Sequence, residues 1–143
     1  MFTIDELKEI QTESIIPGSS GIESPYFSMH QFLMGSCDIF AKTLHEIFGY
    51  KTFIRKKGSS LHCFCKSQSN NEIFYIDARG VTNSFWDFIV AFPDLLSAKD
   101  VPIEITDELE ADWNSENKYY HVGIEIAKKF IKDNEKHYRL DTL

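Results

Sequence analysis

Long apolar runs are missing from this chain: none approaches the roughly 20 residues that a membrane-spanning helix needs. The opening stretch, MFTIDELKEIQTES, is acidic and amphipathic and has no apolar h-region or cleavage site. No Sec-type signal is therefore expected and a cytoplasmic location is, with delivery to another cell by a dedicated system left open. Basic residues are also short, 15 Lys and Arg against 22 Asp and Glu, for a net charge of −7. That balance argues against direct nucleic-acid binding and against anionic membranes, both of which want a basic face. It leaves room for a basic partner. Cysteine is scarce and odd in number: three, two of them in Cys63-Phe64-Cys65. Neighbours that close rarely bridge each other, so all three are expected reduced. There is no internal repeat and no low-complexity tract.

What remains is enough for one domain over residues 1–143, with one real core. Hydrophobic residues make up 43% and aromatics 14%, and twelve Phe suggest a core built from rings with an apolar cleft. Ile4, Leu7 and Ile10 are spaced for one face of a short helix over 3–14. PGSSGIESP (17–25) reads as a loop. A second helix is expected from about 36 to 48, capped by Ser36, striped by Phe40, Leu44, Ile47 and Phe48, and closed by Gly49. The period then changes to two. Residues 51–55, 61–66 and 72–77 read as strands, separated by turns over 57–60 and 67–71 and followed by Arg79-Gly80. Residues 83–92 read as a helix capped by Asn83, and 101–117 as acidic and irregular. A last helix is expected over 121–138, with Ile124, Ala127, Phe130 and Ile131 inward. The order predicts an α+β fold in which a helix feeds a small antiparallel sheet.

Cys37 stands at the first turn of the second helix, directly after Gly35-Ser36. A helix N-terminus carries partial positive charge and free N–H groups, so it favours a thiolate over a thiol. A nucleophilic thiolate needs a proton acceptor in reach, and that acceptor needs a group to orient it. His62 on the second strand and Asp77 at the end of the third supply both residue types. If those strands pair, the two fall near each other across the ladder. Alternation sends His62, Phe64 and Lys66 to one face and Cys63 and Cys65 to the other, so the strand cysteines read as buried small hydrophobes. Gln31, six residues before Cys37, offers an amide donor to an oxyanion alongside the Cys37 N–H.

Gln31 followed by Gly35-Ser36-Cys37 and an apolar helix resembles the nucleophile segment of papain-like cysteine peptidases. The downstream order of His62 and Asp77 on successive strands is similar to the transglutaminase-like and arylamine N-acetyltransferase branch of that superfamily. The combination GSCDIFAKTLHEIFGY, LHCFC and YIDARG also resembles small phage and bacterial proteins of this type. The match covers residues 31–80. It implies a papain-like or transglutaminase-like core with the nucleophile helix packed on the sheet and a helix at the C-terminal end. It further implies a cysteine hydrolase or acyltransferase that works on a protein or peptide substrate through a Cys37-His62-Asp77 triad, with Gln31 at the oxyanion and no cofactor. Amide or peptide hydrolysis, deamidation and transglutaminase-like transfer all fit that pattern.

Other readings compete. A non-catalytic acidic interaction or inhibitor protein could carry the same fold with an incidental cysteine. Asp77 could serve only to pair with Arg79 and fix the turn. His121 is a second candidate base, and His45 lies well inside a helix. Zinc is not expected, because Cys63-x-Cys65 lacks the usual two-residue gap and has no second pair. Trp86 and Trp113 read as core or cleft-wall residues, Arg55-Lys56-Lys57 as a hairpin tip, and Glu104 to Glu116 as a solvated acidic face. If Cys37 faces a cleft, its replacement by Ser or Ala should leave folding unchanged, and Asp77→Asn should preserve the fold. Oligomeric state is not encoded in any feature of the sequence.

Overall fold

The computed structural model describes residues 1–13, 26–104, 106 and 120–142. Helix α1 (Ile4–Glu9) opens with a capping box: the Glu6 N–H donates to the Thr3 hydroxyl at 3.0 Å, and the Thr3 N–H to the Glu6 carboxylate at 3.1 Å. It ends well short of residue 14. The carbonyls that would continue it are taken from elsewhere: Ile10 O accepts the Met29 N–H at 2.9 Å, and Leu7 O and Lys8 O accept the Ser28 hydroxyl at 3.3 Å. Residues 11–13 form instead a short strand β1 (Gln11–Glu13), antiparallel to β2 (Tyr26–Ser28). The loop expected over 17–25 lies outside the described residues.

Two helices follow in close succession, α2 (Gln31–Met34) and α3 (Cys37–Phe48). The Gln31 carbonyl accepts both the Gly35 N–H at 2.9 Å and the Ser36 N–H at 2.6 Å, which ends α2 and turns the chain sharply into α3. Ser36 sits at the N-cap position, but its hydroxyl makes no cap bond; its carbonyl, accepting the Phe40 N–H at 3.3 Å, begins the helix. Gly49 closes α3 in the left-handed region, φ +76°, as expected of a C-terminal glycine.

The sheet has five antiparallel strands in the order β6-β5-β4-β3-β7: β3 (Lys51–Lys57), β4 (Ser60–Ser69), β5 (Glu72–Asp77), β6 (Gly80–Thr82) and β7 (Asp100–Pro102). The fold is α+β, as the change of period implies. The β4–β5 turn is only Asn70-Asn71, both left-handed (φ +52° and +66°), so the strands run further than the expected turn over 67–71 allowed. Asn tolerates that conformation better than most residues, and a left-handed pair matches the twist of an antiparallel hairpin.

Strand alternation gives the sheet two cores. Cys63, Cys65, Phe74 and Ile76 face α3 and α5 (Tyr120–Asp133), where Ile39, Phe40, Leu44, Ile124, Ala127, Phe130 and Ile131 complete one cluster. Phe64 and Tyr75 face the other way, against Phe88 and Ile89 of α4 (Phe85–Ile89) and Leu95 of the 3-10 turn Pro93–Leu95. Helix α4 is capped by Ser84, whose hydroxyl accepts the Asp87 N–H at 3.2 Å, and not by Asn83. Trp86 on α4 is 63% exposed and belongs to neither core nor cleft; Trp113 lies outside the described residues, as does nearly all of the acidic stretch around it. Arg55 is not at a hairpin tip. It is buried, pairs with Asp100 at 3.1 Å, and donates to the carbonyls of Leu95, Leu96 and Ala98. Helix α5 stops at Asp133, ahead of the expected 138: Asn134 leaves the helix, its amide donating to the Phe130 carbonyl at 3.0 Å, and a 3-10 turn follows. Among the described residues no helix is long and apolar enough to cross a membrane.

The β5–β6 turn, which carries Asp77 and Arg79, is fixed from outside. Tyr138 OH donates to the Ala78 carbonyl at 2.8 Å, and the Phe2 N–H to the Arg79 carbonyl at 2.6 Å. Gly80 adopts φ +119°, and a Cβ there would lie 2.7 Å from the His137 carbonyl oxygen. Gly80→Ala is therefore expected to lower stability by about 2 kcal/mol or more, through backbone strain and a clash with main chain. Urea unfolding of the variant checks it; an unchanged midpoint would show that the turn can move without loss.

Candidate active site

Cys37, His62 and Asp77 meet where β5 stops running beside β4. The β4–β5 ladder is paired only from Cys65 opposite Ile76 onward. Beyond that point β5 turns away at Asp77, and β4 continues alone on that side. The notch is filled by the first turn of α3. The Cys63 N–H, which has no β5 partner, donates to Cys37 Sγ at 3.4 Å. Cys37 thus sits close to the plane of the sheet, with Cys63 on one face of β4 and His62 on the other. This is how a side chain on the α3 face and a histidine on the opposite face come to share one site.

His62 Nε2 lies 3.1 Å from Asp77 Oδ2. By register Asp77 falls across from Phe64, diagonal to His62, and the imidazole spans the offset. Both side chains are almost fully buried, at 1% and 4% exposure. The other ring nitrogen, His62 Nδ1, is buried and has no hydrogen-bond partner among the described residues. A ring whose one nitrogen is anchored to a carboxylate has its orientation and tautomer fixed, and here its second nitrogen is kept unoccupied next to the Cys37 thiol.

Asp77 also pairs with Arg79. Its Oδ2 accepts Arg79 Nη2 at 2.7 Å; its Oδ1 accepts Nε at 3.1 Å and the Arg79 N–H at 2.9 Å. The two candidate roles of Asp77, orienting His62 and fixing the turn, are met by one carboxylate. Arg79 reaches further, donating to the Asp87 carbonyl at 3.2 Å and the Phe88 carbonyl at 2.8 Å. It therefore ties α4 to the β5 end. Arg55 does the same for the segment after the 3-10 turn. Between these two anchors lies Phe92, stacked on the His62 ring at 4.0 Å between centroids.

The electrostatics run in one direction. Hydrogen bonding by Cys63 holds the Cys37 thiol well below its ordinary range against the opposing effect of burial, and the nearby ring and charge of His62 add to it. Burial pulls His62 down, but the Asp77 bond, the nearby Cys37 sulfur and the charges of both residues more than reverse this, so His62 is raised. Burial pushes Asp77 up, and the Arg79 charge with the bonds from His62 and Arg79 overcomes it, so Asp77 stays ionised well below the carboxylate range. Cys63 is pushed up by its bond to Cys37 and then by burial, and Cys65 by burial. The shifts favour the thiolate at Cys37, the charged ring at His62 and the protonated thiol at Cys63 and Cys65.

A cleft of about 450 Å³ opens over Cys37, walled by Leu33, Met34, Leu61, Phe92 and Leu95 among others. Gln31 is not in its wall. It is exposed at the start of α2, and what it contributes is the carbonyl that sets the α2–α3 turn. His45 is exposed in the last turn of α3, at the other end of the helix from Cys37, its Nδ1 2.7 Å from the Tyr50 carbonyl, and His121 is exposed on α5. Among the described residues no three His, Cys, Asp or Glu side chains are grouped to hold a metal ion. Phe92, Arg55 and the Cys63 N–H were not legible as parts of the site; Phe92 sits in an apolar run, NSFWDFIVAF, where nothing marks one ring from another.

No known protein family, curated protein or solved structure matches the chain, so what the site does is read from its own residues.

Proposed function

We propose that the protein is a thiol-dependent acyl-transfer enzyme on a papain-like or transglutaminase-like core, acting on a protein or peptide amide. The observation that carries this is His62: one nitrogen bound to Asp77 at 3.1 Å, the other buried and unpartnered beside a cysteine at a helix N-terminus. Cys37 Sγ attacks the amide carbonyl carbon. The oxygen of the tetrahedral intermediate is held by N–H groups of the first turn of α3, which the helix leaves without internal acceptors. His62 gives its proton to the departing amine, the C–N bond breaks, and a thioester on Cys37 remains. His62, now neutral, takes a proton from water or an acceptor amine as that group attacks, the C–S bond breaks, and the thiolate–imidazolium pair returns. Asp77 holds the ring throughout and stabilises its charge. The same steps give hydrolysis, deamidation or transfer, according to acyl group and acceptor.

Iodoacetamide tests the reading without a known substrate. Cys37 is expected to alkylate in the folded protein at pH 6, far faster than Cys63 or Cys65, because only its thiolate is favoured. Its rate should rise with pH through a midpoint below that of an ordinary thiol, the sign required by a lowered pKa. Equal, slow labelling of all three, released only by denaturant, would leave a non-catalytic binding protein as the reading of the fold.

A further inference from the structure

The geometry points to Cys37 and Cys63 as a peroxide-modifiable pair, in which a hydroperoxide oxidises Cys37 and Cys63 closes the product into a disulfide. Three features bring the two together. First, Cys37 Sγ lies 3.4 Å from the Cys63 backbone nitrogen. The Cys63 Cα is one bond of about 1.5 Å beyond that nitrogen, so the sulfur stands within about 5 Å of it, and the two cysteine side chains are near enough to hydrogen-bond each other. Second, Cys37 lines the cleft, where a small oxidant can arrive, and Cys63, buried beside it, does not. Third, Cys65 is engaged elsewhere, its Sγ 3.3 Å from the Ala41 carbonyl, one helical turn along α3 from Cys37. Strand and helix run side by side, so each strand cysteine has its own neighbour, and only Cys63 faces the sulfur at the cleft.

The chemistry balances with the peroxide as oxidant. The Cys37 thiolate attacks the distal peroxide oxygen; the O–O bond breaks, an S–O bond forms, and the leaving oxygen takes a proton, giving the sulfenic acid and water or an alcohol. Cys63 sulfur then attacks Cys37 sulfur. The S–S bond forms, the S–O bond breaks, and the departing hydroxide leaves as water with the Cys63 proton. The sulfurs have together lost two electrons and the peroxide has gained them. The stabilised thiolate of Cys37 suits it to the first step; once Cys37 is a neutral sulfenic acid, the thiolate bond and charge that hold Cys63 protonated are gone, and Cys63 can give up its proton as it attacks. The product would switch off a Cys37 nucleophile reversibly and shield it from sulfinic acid. The modification does not require that the protein be an enzyme.

The test treats the full chain with near-stoichiometric hydrogen peroxide and maps the products by peptide mass spectrometry without reductant. Wild type should give one internal disulfide, Cys37 to Cys63, with full recovery of the free Cys37 thiol on dithiothreitol. Cys63→Ala should lose that disulfide and accumulate sulfinic acid at Cys37, which dithiothreitol does not return. Cys65→Ala, an equally small change in the same core, should behave as wild type and controls for loosened packing. The inference is overturned if wild type and Cys63→Ala reach sulfinic acid alike, if the bridge forms to Cys65, or if Cys37 resists peroxide while remaining reactive to iodoacetamide. That last result would leave the catalytic reading standing and remove only this one.

Discussion

Asp77→Ala is expected to destabilise the domain by about 3–5 kcal/mol, the cost of leaving a buried charge without its partner. The charge is Arg79, 3% exposed, whose guanidinium makes two bonds to the Asp77 carboxylate, at 3.1 and 2.7 Å, and one to the Phe88 carbonyl at 2.8 Å. Asp77→Asn should also lower the unfolding midpoint clearly, although it keeps the shape, because an amide offers Arg79 one oxygen and no charge. This revises the expectation, drawn from sequence, that Asn would leave the fold unchanged. Adding Arg79→Met to Asp77→Asn should recover much of the loss, since removing both ions leaves no uncompensated charge while Asn still accepts from the His62 ring. Urea midpoints of the two single variants and the double variant decide it. If the double variant is as unstable as the sum of the singles, the ion pair is not the origin. The pH dependence has a definite sign. A carboxylate whose folded pKa is depressed contributes stability that is fully present above its unfolded pKa of about 4 and is lost as pH falls toward the folded value. Wild type should therefore weaken steeply below about pH 4, and the double variant should lack that component.

The same carboxylate shows what could be read in advance and what could not. The Cys37 helix, its Gly49 stop, the three central strands and the inward face of α5 all follow from local signals: periods of 3.6 and 2, a left-handed glycine, and turns rich in Asn and Ser. Cys37, His62 and Asp77 stood out because their residue types and order imply chemistry. Their meeting depends on a non-local event, the departure of β5 from β4 after Ile76, and no periodicity encodes where a ladder ends. The short edge strands β6 and β7 escaped for a related reason: three residues carry too little pattern to stand apart from a turn. Arg55 looked like part of a basic tip because its neighbours are Lys56 and Lys57; its burial comes from carbonyls some forty residues later. Gln31 matched a spacing and not a surface, since the turn that delivers Cys37 uses its carbonyl and leaves the amide outside the cleft wall. Cys37 itself is both cleft and core, 7% exposed and part of the α3 cluster, so Cys37→Ala should cost about 1 kcal/mol, where a fully open cleft residue would cost nothing.

His62→Phe should separate the chemistry of the site from its packing. Phenylalanine retains a flat ring for Phe92 at 4.0 Å, Phe64 at 5.8 Å and Phe88 at 5.9 Å, and Asp77 keeps its Arg79 bonds, so the fold should survive with a modest loss. Both ring nitrogens go. Without the imidazolium, Cys37 keeps the bonds from Cys63 and the helix end but loses the facing charge, and its thiolate fraction at pH 6 should fall. Iodoacetamide should therefore react more slowly with the variant at pH 6, and the deficit should close as the pH is raised and the thiolate forms without help. Acyl transfer should drop further, by about 10²- to 10⁴-fold, because the proton donor to the leaving amine and the base for the acceptor are both lost, and raising the pH restores neither. The split between the two readouts is the informative part. A purely structural His62 would slow neither one in a pH-dependent way, and a variant that alkylates at the wild-type rate at pH 6 while remaining folded would remove His62 from the mechanism.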